Sequence, residues 1–174
     1  MQIWQADSGA WTKAAVGLQL EPQDQIKTGA DSSASISFFE GSTTEILANA
    51  EISIKELSVY SKTGSTKVSL NQTIGDSRIR VGKLVDSASR YEIATPSGLV
   101  TTQGTEYIVE VFADGTTVVT VIEGTASAIA QGVMVQAVPG WECIIYPGSP
   151  PMLYLPPQAH PRSSPSYRPP CAGG

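Results

Sequence analysis

Two runs rich in valine and isoleucine decide the fold: residues 106–112 read EYIVEVF and residues 116–123 read TTVVTVIE. Apolar side chains recur at every second position, as in Val109 and Val111 or Val119 and Val121, which is the period of a β-strand. Asp114-Gly115 lies between the runs, and glycine supplies a positive φ without steric cost. The stretch therefore predicts a β-hairpin.

The same pattern continues in both directions from this hairpin. Further alternating runs cover residues 34–38, 51–57, 78–81, 125–130, 133–138 and 142–146. Glu40-Gly41-Ser42 has the composition of another hairpin turn, and no long stretch has the spacing of an amphipathic helix. We predict an all-β fold of many short, mainly antiparallel strands, arranged as a two-sheet sandwich or a solenoid-like stack.

Composition changes near Pro147. Nine of the 12 prolines lie in residues 147–174, and proline removes a backbone donor and fixes φ. We therefore predict a β domain over residues 1–147 and an extended, proline-rich tail over residues 148–174. Within the tail, an apolar cluster of Met152, Leu153, Tyr154 and Leu155, together with Tyr167, is predicted to contact a groove or a sheet edge.

Charge excludes one class of partner. Hydrophobic residues make up 41% of the chain, charged residues only 16%, and the net charge is -5. A chain this apolar can bury a core, which argues against disorder. An acidic surface repels phosphate backbones, so nucleic acid is not an expected partner.

Seven segments in order resemble the FecR-domain family. They are residues 11–20, 23–29, 34–42, 91–98, 103–107, 114–117 and 121–124. The best-known family element, Arg-Gly-Thr-Glu-Phe, corresponds to Gln103, Gly104, Thr105, Glu106 and Tyr107. A neutral amide thus stands at position 103 where the family has a guanidinium group, which puts in doubt any ion pair that the family makes there.

The resemblance implies an all-β domain outside the cytoplasm of a bacterium. The founding type is a transmembrane regulator, whose cytoplasmic end controls a sigma factor and whose periplasmic end contacts an outer-membrane transporter. No stretch here approaches the roughly 20 apolar residues of a membrane helix, so the sigma-regulating role does not carry over. Residues 1–20 lack the basic start and apolar run of an export signal. We expect that signal to lie outside this sequence, and the protein to be extracellular, periplasmic or at the cell surface.

Catalytic patterns are weak. The single histidine, His160, lies in the tail, where a general base is poorly preorganised. No cysteine–histidine cluster has metal spacing and no glycine-rich phosphate loop occurs, so we predict no catalytic residue, no metal and no cofactor. Glu106 is the carboxylate of most interest. We expect Thr105 and Glu106 to satisfy backbone donors at a strand start, and a contact role for Glu106 is the alternative.

Covalent modification is predicted at a few positions. Cys143 and Cys171 are a candidate disulfide pair, within one chain or between chains. Asn71 opens an Asn-x-Thr sequon, and Ser163, Ser164 and Ser166 resemble O-glycan acceptors.

Three functional hypotheses follow. The first is a non-enzymatic structural module that assembles with copies of itself, as a filament or envelope subunit, through β edges and the tail. The alternative is a periplasmic signalling module of a FecR-type regulator that binds another envelope protein. The third, a carbohydrate-active enzyme using two carboxylates, has no residue spacing in its favour.

Overall fold

A computed structural model describes residues 1–60, 62–82 and 88–155. This part of the chain is all-β, as the alternating sequence predicts. The strands are β1 (Gln2–Gln5), β2 (Ala10–Lys13), β3 (Gln25–Lys27), β4 (Ala34–Ser37), β5 (Thr43–Ile46), β6 (Glu51–Val59), β7 (Thr66–Val81), β8 (Arg90–Ala94), β9 (Leu99–Thr102), β10 (Thr105–Val111), β11 (Thr117–Gly124), β12 (Ala126–Ala130), β13 (Val133–Ala137), β14 (Glu142–Ile145) and β15 (Met152–Tyr154). None of the described segments forms an apolar helix of membrane-spanning length.

The strands form two sheets that share β7. The first sheet has the order β2-β1-β3-β6-β7-β8-β9-β12-β13, and the second has the order β4-β5-β7-β10-β11-β14-β15. Among the described strands every pair is antiparallel except β7–β8, which is parallel. Hairpins alternate between the sheets: β8–β9 and β12–β13 belong to the first, β10–β11 and β14–β15 to the second. The fold therefore combines a two-sheet sandwich with a solenoid-like succession of hairpins.

Strand β7 changes the side that it buries as it passes between the sheets. Its first half buries even-numbered residues as far as Gln72, and its second half buries odd-numbered residues from Ser77 onward. Successive side chains of a strand point to opposite faces, so this change needs an irregular step. The register with β6 supplies it at Thr73, which is left unpaired between Gln72 opposite Ile52 and Ile74 opposite Glu51, and Gly75 follows with a φ of 86°. A Cβ atom at this position would lie 2.4 Å from the Cα atom of Ala50, so no larger residue fits without movement.

The buried side chain of Gln72 stabilises this step. Its amide nitrogen donates to the carbonyl oxygens of Gly75, at 2.5 Å, and of Val109 on β10, at 3.1 Å. Its amide oxygen accepts a hydrogen bond from the Ser77 hydroxyl at 2.6 Å. Leaving such a buried group unpaired would cost about 1–3 kcal/mol. One polar side chain thus joins both halves of β7 to the second sheet.

Two fully buried tyrosines lie between the sheets, Tyr91 from β8 and Tyr107 from β10. The Phe38 ring packs edge-to-face on Tyr91 with ring centroids 5.7 Å apart. The Tyr91 hydroxyl is hydrogen-bonded to Thr44, whereas the Tyr107 hydroxyl has no partner among the described residues. Burial raises the pKa of both phenols. The unpaired hydroxyl is the atom that distinguishes Tyr107 from the phenylalanine usual in the family motif.

The hairpin predicted at Asp114-Gly115 is β10–β11. The Asp114 carboxylate accepts hydrogen bonds from the Thr116 amide, at 2.9 Å, and the Thr116 hydroxyl, at 3.0 Å. These bonds lower the pKa of Asp114. Residues 152–154, in the predicted tail, form β15 at the edge of the second sheet. The prediction of an extended tail otherwise concerns residues 156–174, which lie outside the described residues.

Replacing Gly75 with alanine should destabilise the fold by about 2–5 kcal/mol, because a positive φ and a backbone clash both oppose a Cβ atom there. Gly132→Ala is the matched control. Gly132 has a φ of 74°, and its Cβ atom would meet nothing within 4 Å. The control should lose about 1–2 kcal/mol of unfolding free energy, because only the cost of placing alanine at a positive φ applies there. Urea denaturation of both variants measures the difference, and equal losses would contradict a close packed step at Gly75.

Candidate functional site

The family motif lies where the chain crosses from β9 in the first sheet to β10 in the second. The hydroxyl groups of Thr102 and Thr105 contact each other and both donate to the carbonyl oxygen of Thr125, at 3.2 Å and 2.7 Å. A Cβ atom on Gly124 would lie 2.6 Å from the carbonyl oxygen of Gly104. The outgoing crossover at 103–104 is therefore packed, backbone against backbone, on the returning crossover between β11 and β12.

Glu106 is held by two arginines of β7. Its carboxylate accepts from Nε of Arg78 at 2.9 Å, and from Nε and Nη2 of Arg80 at 3.2 Å and 3.1 Å. The Glu106 side chain is 14% exposed, whereas the arginine side chains are much more open. Hydrogen bonds from Arg80, and then from Arg78, lower the pKa of Glu106, and the carboxylate in turn raises the pKa of Arg80.

This arrangement differs from the sequence-based expectation. Thr105 donates to a carbonyl group, and Glu106 binds guanidinium groups, so the prediction that both satisfy backbone donors was wrong. Gln103 replaces the family's arginine, but the Glu106 carboxylate is still ion-paired. Its partners, Arg78 and Arg80, are supplied by β7. The alternation of Arg78 and Arg80 about Ile79 indicated that both arginines face outward. The sequence did not indicate that β7 pairs with β10.

A groove of about 1270 Å³ lies beside the motif on the outer face of the first sheet. Its floor carries the hydroxyl groups of Thr101 and Ser127, which are directly opposite each other on β9 and β12. Aliphatic side chains on the same face extend the floor toward β13, and charged side chains line the rim. The aliphatic residues are Leu99, Ile129 and Met134, and the charged residues include Arg80, Arg90 and Glu123.

The chemistry of this groove favours recognition over proton transfer. Because two guanidinium groups lower its pKa, Glu106 stays ionised at neutral pH and is a poor proton donor. Glu110 has a raised pKa, caused by burial and by the charges of Asp76 and Glu142, but it lies farther along β10 and does not line the groove. Hydroxyl, aliphatic and fixed charged groups side by side suit hydrogen bonds and ion pairs to a bound chain. The described ranges hold no group of three or more His, Cys, Asp or Glu residues arranged to bind a metal.

The remaining predicted residues lie apart from the groove. Cys143 is fully buried between the sheets, and burial raises the pKa of its thiol to about 11. Asn71 is half-buried in the central strand β7, paired with Ser53 and Ala94. Met152, Leu153, Tyr154 and Leu155 are exposed at the β15 edge. Cys171, Tyr167, Ser163, Ser164 and Ser166 lie outside the described residues, so the disulfide and the glycans stay predictions.

Glu106→Gln should remove a pH-dependent part of the stability. A carboxylate with a lowered folded pKa stabilises the fold above its ordinary value of 4.5, and this contribution is lost as the pH falls through the folded pKa. The stability difference from the unsubstituted protein should be largest near neutral pH and shrink below pH 4.5. Glu45→Gln, on the exposed face of β5 opposite Arg78, is the control. Urea denaturation from pH 7 downward is the measurement, and a difference that does not change with pH would contradict the ion-pair assignment.

Comparison with known families and structures identifies the fold. The FecR protein family matches residues 24–127. Two crystal structures of a putative anti-sigma factor from Parabacteroides distasonis, at 2.50 and 1.65 Å resolution, are similar, with TM-scores of 0.60 and 0.59 and 13% identity. These matches cover 75% of this chain but only 59% of that chain. No curated protein matched. Because the family match covers more than half of the sequence and includes the motif at 103–107, the chain belongs to the FecR family.

Proposed function

We propose that this domain is a non-enzymatic protein-recognition module of a FecR-type regulatory system. The observation that carries the proposal is the environment of Glu106. Glu106, which corresponds to the glutamate of the family motif, is ion-paired with Arg78 and Arg80 and forms part of the wall of an open groove. A carboxylate fixed in this way shapes a contact surface and is not free to transfer protons.

The groove has the mixed character of a polar protein interface. Thr101 and Ser127 offer donors and acceptors at the floor, Leu99 and Ile129 offer apolar contact, and Arg90 and Glu123 offer charges of both signs at the rim. Interfaces between proteins that also exist apart are about as polar as the rest of the surface and rely on such groups. An extended segment of a partner protein is therefore the ligand that we assign to the groove.

The family relationship supports the finer parts of the proposal. FecR-type regulators receive signals outside the cytoplasm, so we place the domain in the periplasm or at the cell surface and take its partner to be an envelope protein. The similar Parabacteroides protein is described as an anti-sigma factor and has a longer chain, of which the match covers 59%. We assign only the partner-binding step to this domain. Self-assembly into filaments, which the sequence suggested first, stays a prediction and ranks second.

Ser127→Arg should block the groove, because it adds a long charged side chain to the floor without touching the core. Ser53→Arg is the matched control: Ser53 is likewise a half-buried serine facing outward from the first sheet, but it lies on β6, away from the groove. Each tagged full-length variant is produced in its native cell and cross-linked with formaldehyde, and recovered envelope proteins are quantified. At least one protein should fall about tenfold with Ser127→Arg, equivalent to 1.4 kcal/mol, and remain unchanged with Ser53→Arg.

One result would contradict the assignment of the groove as a recognition surface. If both variants recover the same proteins in the same amounts as the unsubstituted chain, while keeping its thermal stability, the groove is not a recognition surface. The proposed function would then lose the observation on which it depends.

A further inference from the structure

The two ends of the second sheet differ in how well they cover the core. At one end, β4 turns Ile36 inward, and that side chain is only 8% exposed. At the other end, β15 is the last strand, and its Leu153 is 42% exposed. We call the β4 edge of the second sheet the closed end and its β15 edge the open end.

Leu153 is exposed although it faces inward. It lies directly opposite Cys143 of β14, whose side chain is fully buried, and directly opposed residues of an antiparallel pair share one face. The first sheet ends in the same way at β13. Val133 lies opposite the buried Ala130 and is 43% exposed. The apolar layer between the sheets therefore reaches the surface at β13 and β15, which contact each other.

The strands at this end lack charged side chains, although β15 has two other features that limit edge pairing, since it is short and lies between Pro151 and Pro156. Neither β13 nor β15 contains a charged residue. The other edge of the second sheet, β4, is also uncharged, but its inward-facing Ile36 is covered. Natural edge strands commonly carry charges that discourage pairing with another chain. An uncharged edge with exposed apolar side chains is typical of a strand that accepts a partner.

We propose that β15 accepts one further strand from a partner protein, which continues the second sheet and covers the open end of the core. The recognised segment is extended, with aliphatic residues at alternate positions that meet Leu153 and Val133, and with lysine or arginine at the intervening positions. This inference rests on the proposed role in protein recognition, but it concerns a surface distinct from the groove.

The basic positions follow from the charges near the edge. An added strand would place its outward side chains beside Met152 and Tyr154, which lie opposite Ile144 and Glu142 of β14. It would lie two strand spacings, about 10 Å, from β14, so a long basic side chain could extend toward Glu142. Glu110 and Asp76 lie farther along the same face, and the whole chain has a net charge of -5. A cationic segment is therefore attracted and an anionic one repelled.

Two other occupants fit less well. Pairing of β15 with its copy would bring no basic side chain to Glu142, because β15 contains no charged residue. Two copies of net charge -5 would also repel each other. Residues 156–174 contain six prolines and no Val, Ile, Leu, Phe, Trp or Met, so their composition suits neither strand pairing nor core filling.

The test is a titration of the 15N-labelled full chain with the synthetic peptide Thr-Val-Lys-Leu-Thr-Val-Lys-Leu-Thr, followed by NMR. Amide shifts should be confined to residues 152–155, to β14 and to the part of β13 around Val133. Leu153→Lys should weaken binding at least about tenfold, whereas Ile122→Lys, at an apolar residue that is also 42% exposed, should leave it unchanged. A peptide with glutamate in place of both lysines should bind at least about tenfold more weakly at low salt.

Three outcomes would overturn the inference. The first is the absence of shifts at residues 152–155 at millimolar peptide. The second is shifts that map to the groove and disappear with Ser127→Arg, which would move recognition to the groove and leave the proposed function standing. The third is a dimer of the free chain in sedimentation equilibrium that Leu153→Lys dissociates, which would make the occupant a second copy. The thermal unfolding temperature of Leu153→Lys is measured as a control. If it is unchanged, a loss of binding is not caused by a loss of folding.

Discussion

The passage of β7 from one sheet to the other is the constraint on which the structure depends. A single strand pairs with β6 and β8 through its first half and with β5 and β10 through its second. Its buried side changes between Gln72 and Ser77, and the Gln72 amide bonds Gly75 and Ser77 on the following half of the strand and Val109 on β10. Because a buried amide must be paired, these bonds hold the two sheets in one relative register. Strand β7 and the two sheets therefore form a fixed frame, to which the hairpins after β7 are added.

The candidate site is a consequence of that frame. The second half of β7 places Arg78 and Arg80 beside β10, where Glu106 accepts from both. The crossover of the family motif and the return at Gly124 pack against each other, so the groove beside them has a closely packed wall. Beyond this point hairpins alternate between the sheets, and the alternation stops at β13 and β15 without a capping segment among the described residues. Stacked architectures of this kind need a cap at each end.

Patterns between residues that are close in sequence predicted the local structure, but they did not predict which distant strands pair. Alternation and the Asp114-Gly115 turn correctly gave the β10–β11 hairpin and the all-β class, because both depend on residues near in sequence. Only residues 78–81 of β7 were recognised as a strand. The change of buried side between Gln72 and Ser77 interrupts the period on which such recognition depends. The Glu106 ion pairs join residues 26 and 28 positions apart in the sequence, so no local pattern indicates them. The open end is likewise visible only in the fold, as the exposure of Leu153.

Amide hydrogen exchange, followed residue by residue on the full chain without a partner, tests most directly the claim of a fixed frame with one open end. The slowest amides should lie in β7 and β10, around the Gln72 bonds, and should exchange only by global unfolding. Amides of β15 should exchange at least about 100-fold faster than those of β4, the edge strand at the closed end. Equal protection of β4 and β15 would mean that the end is already covered, and would contradict the account.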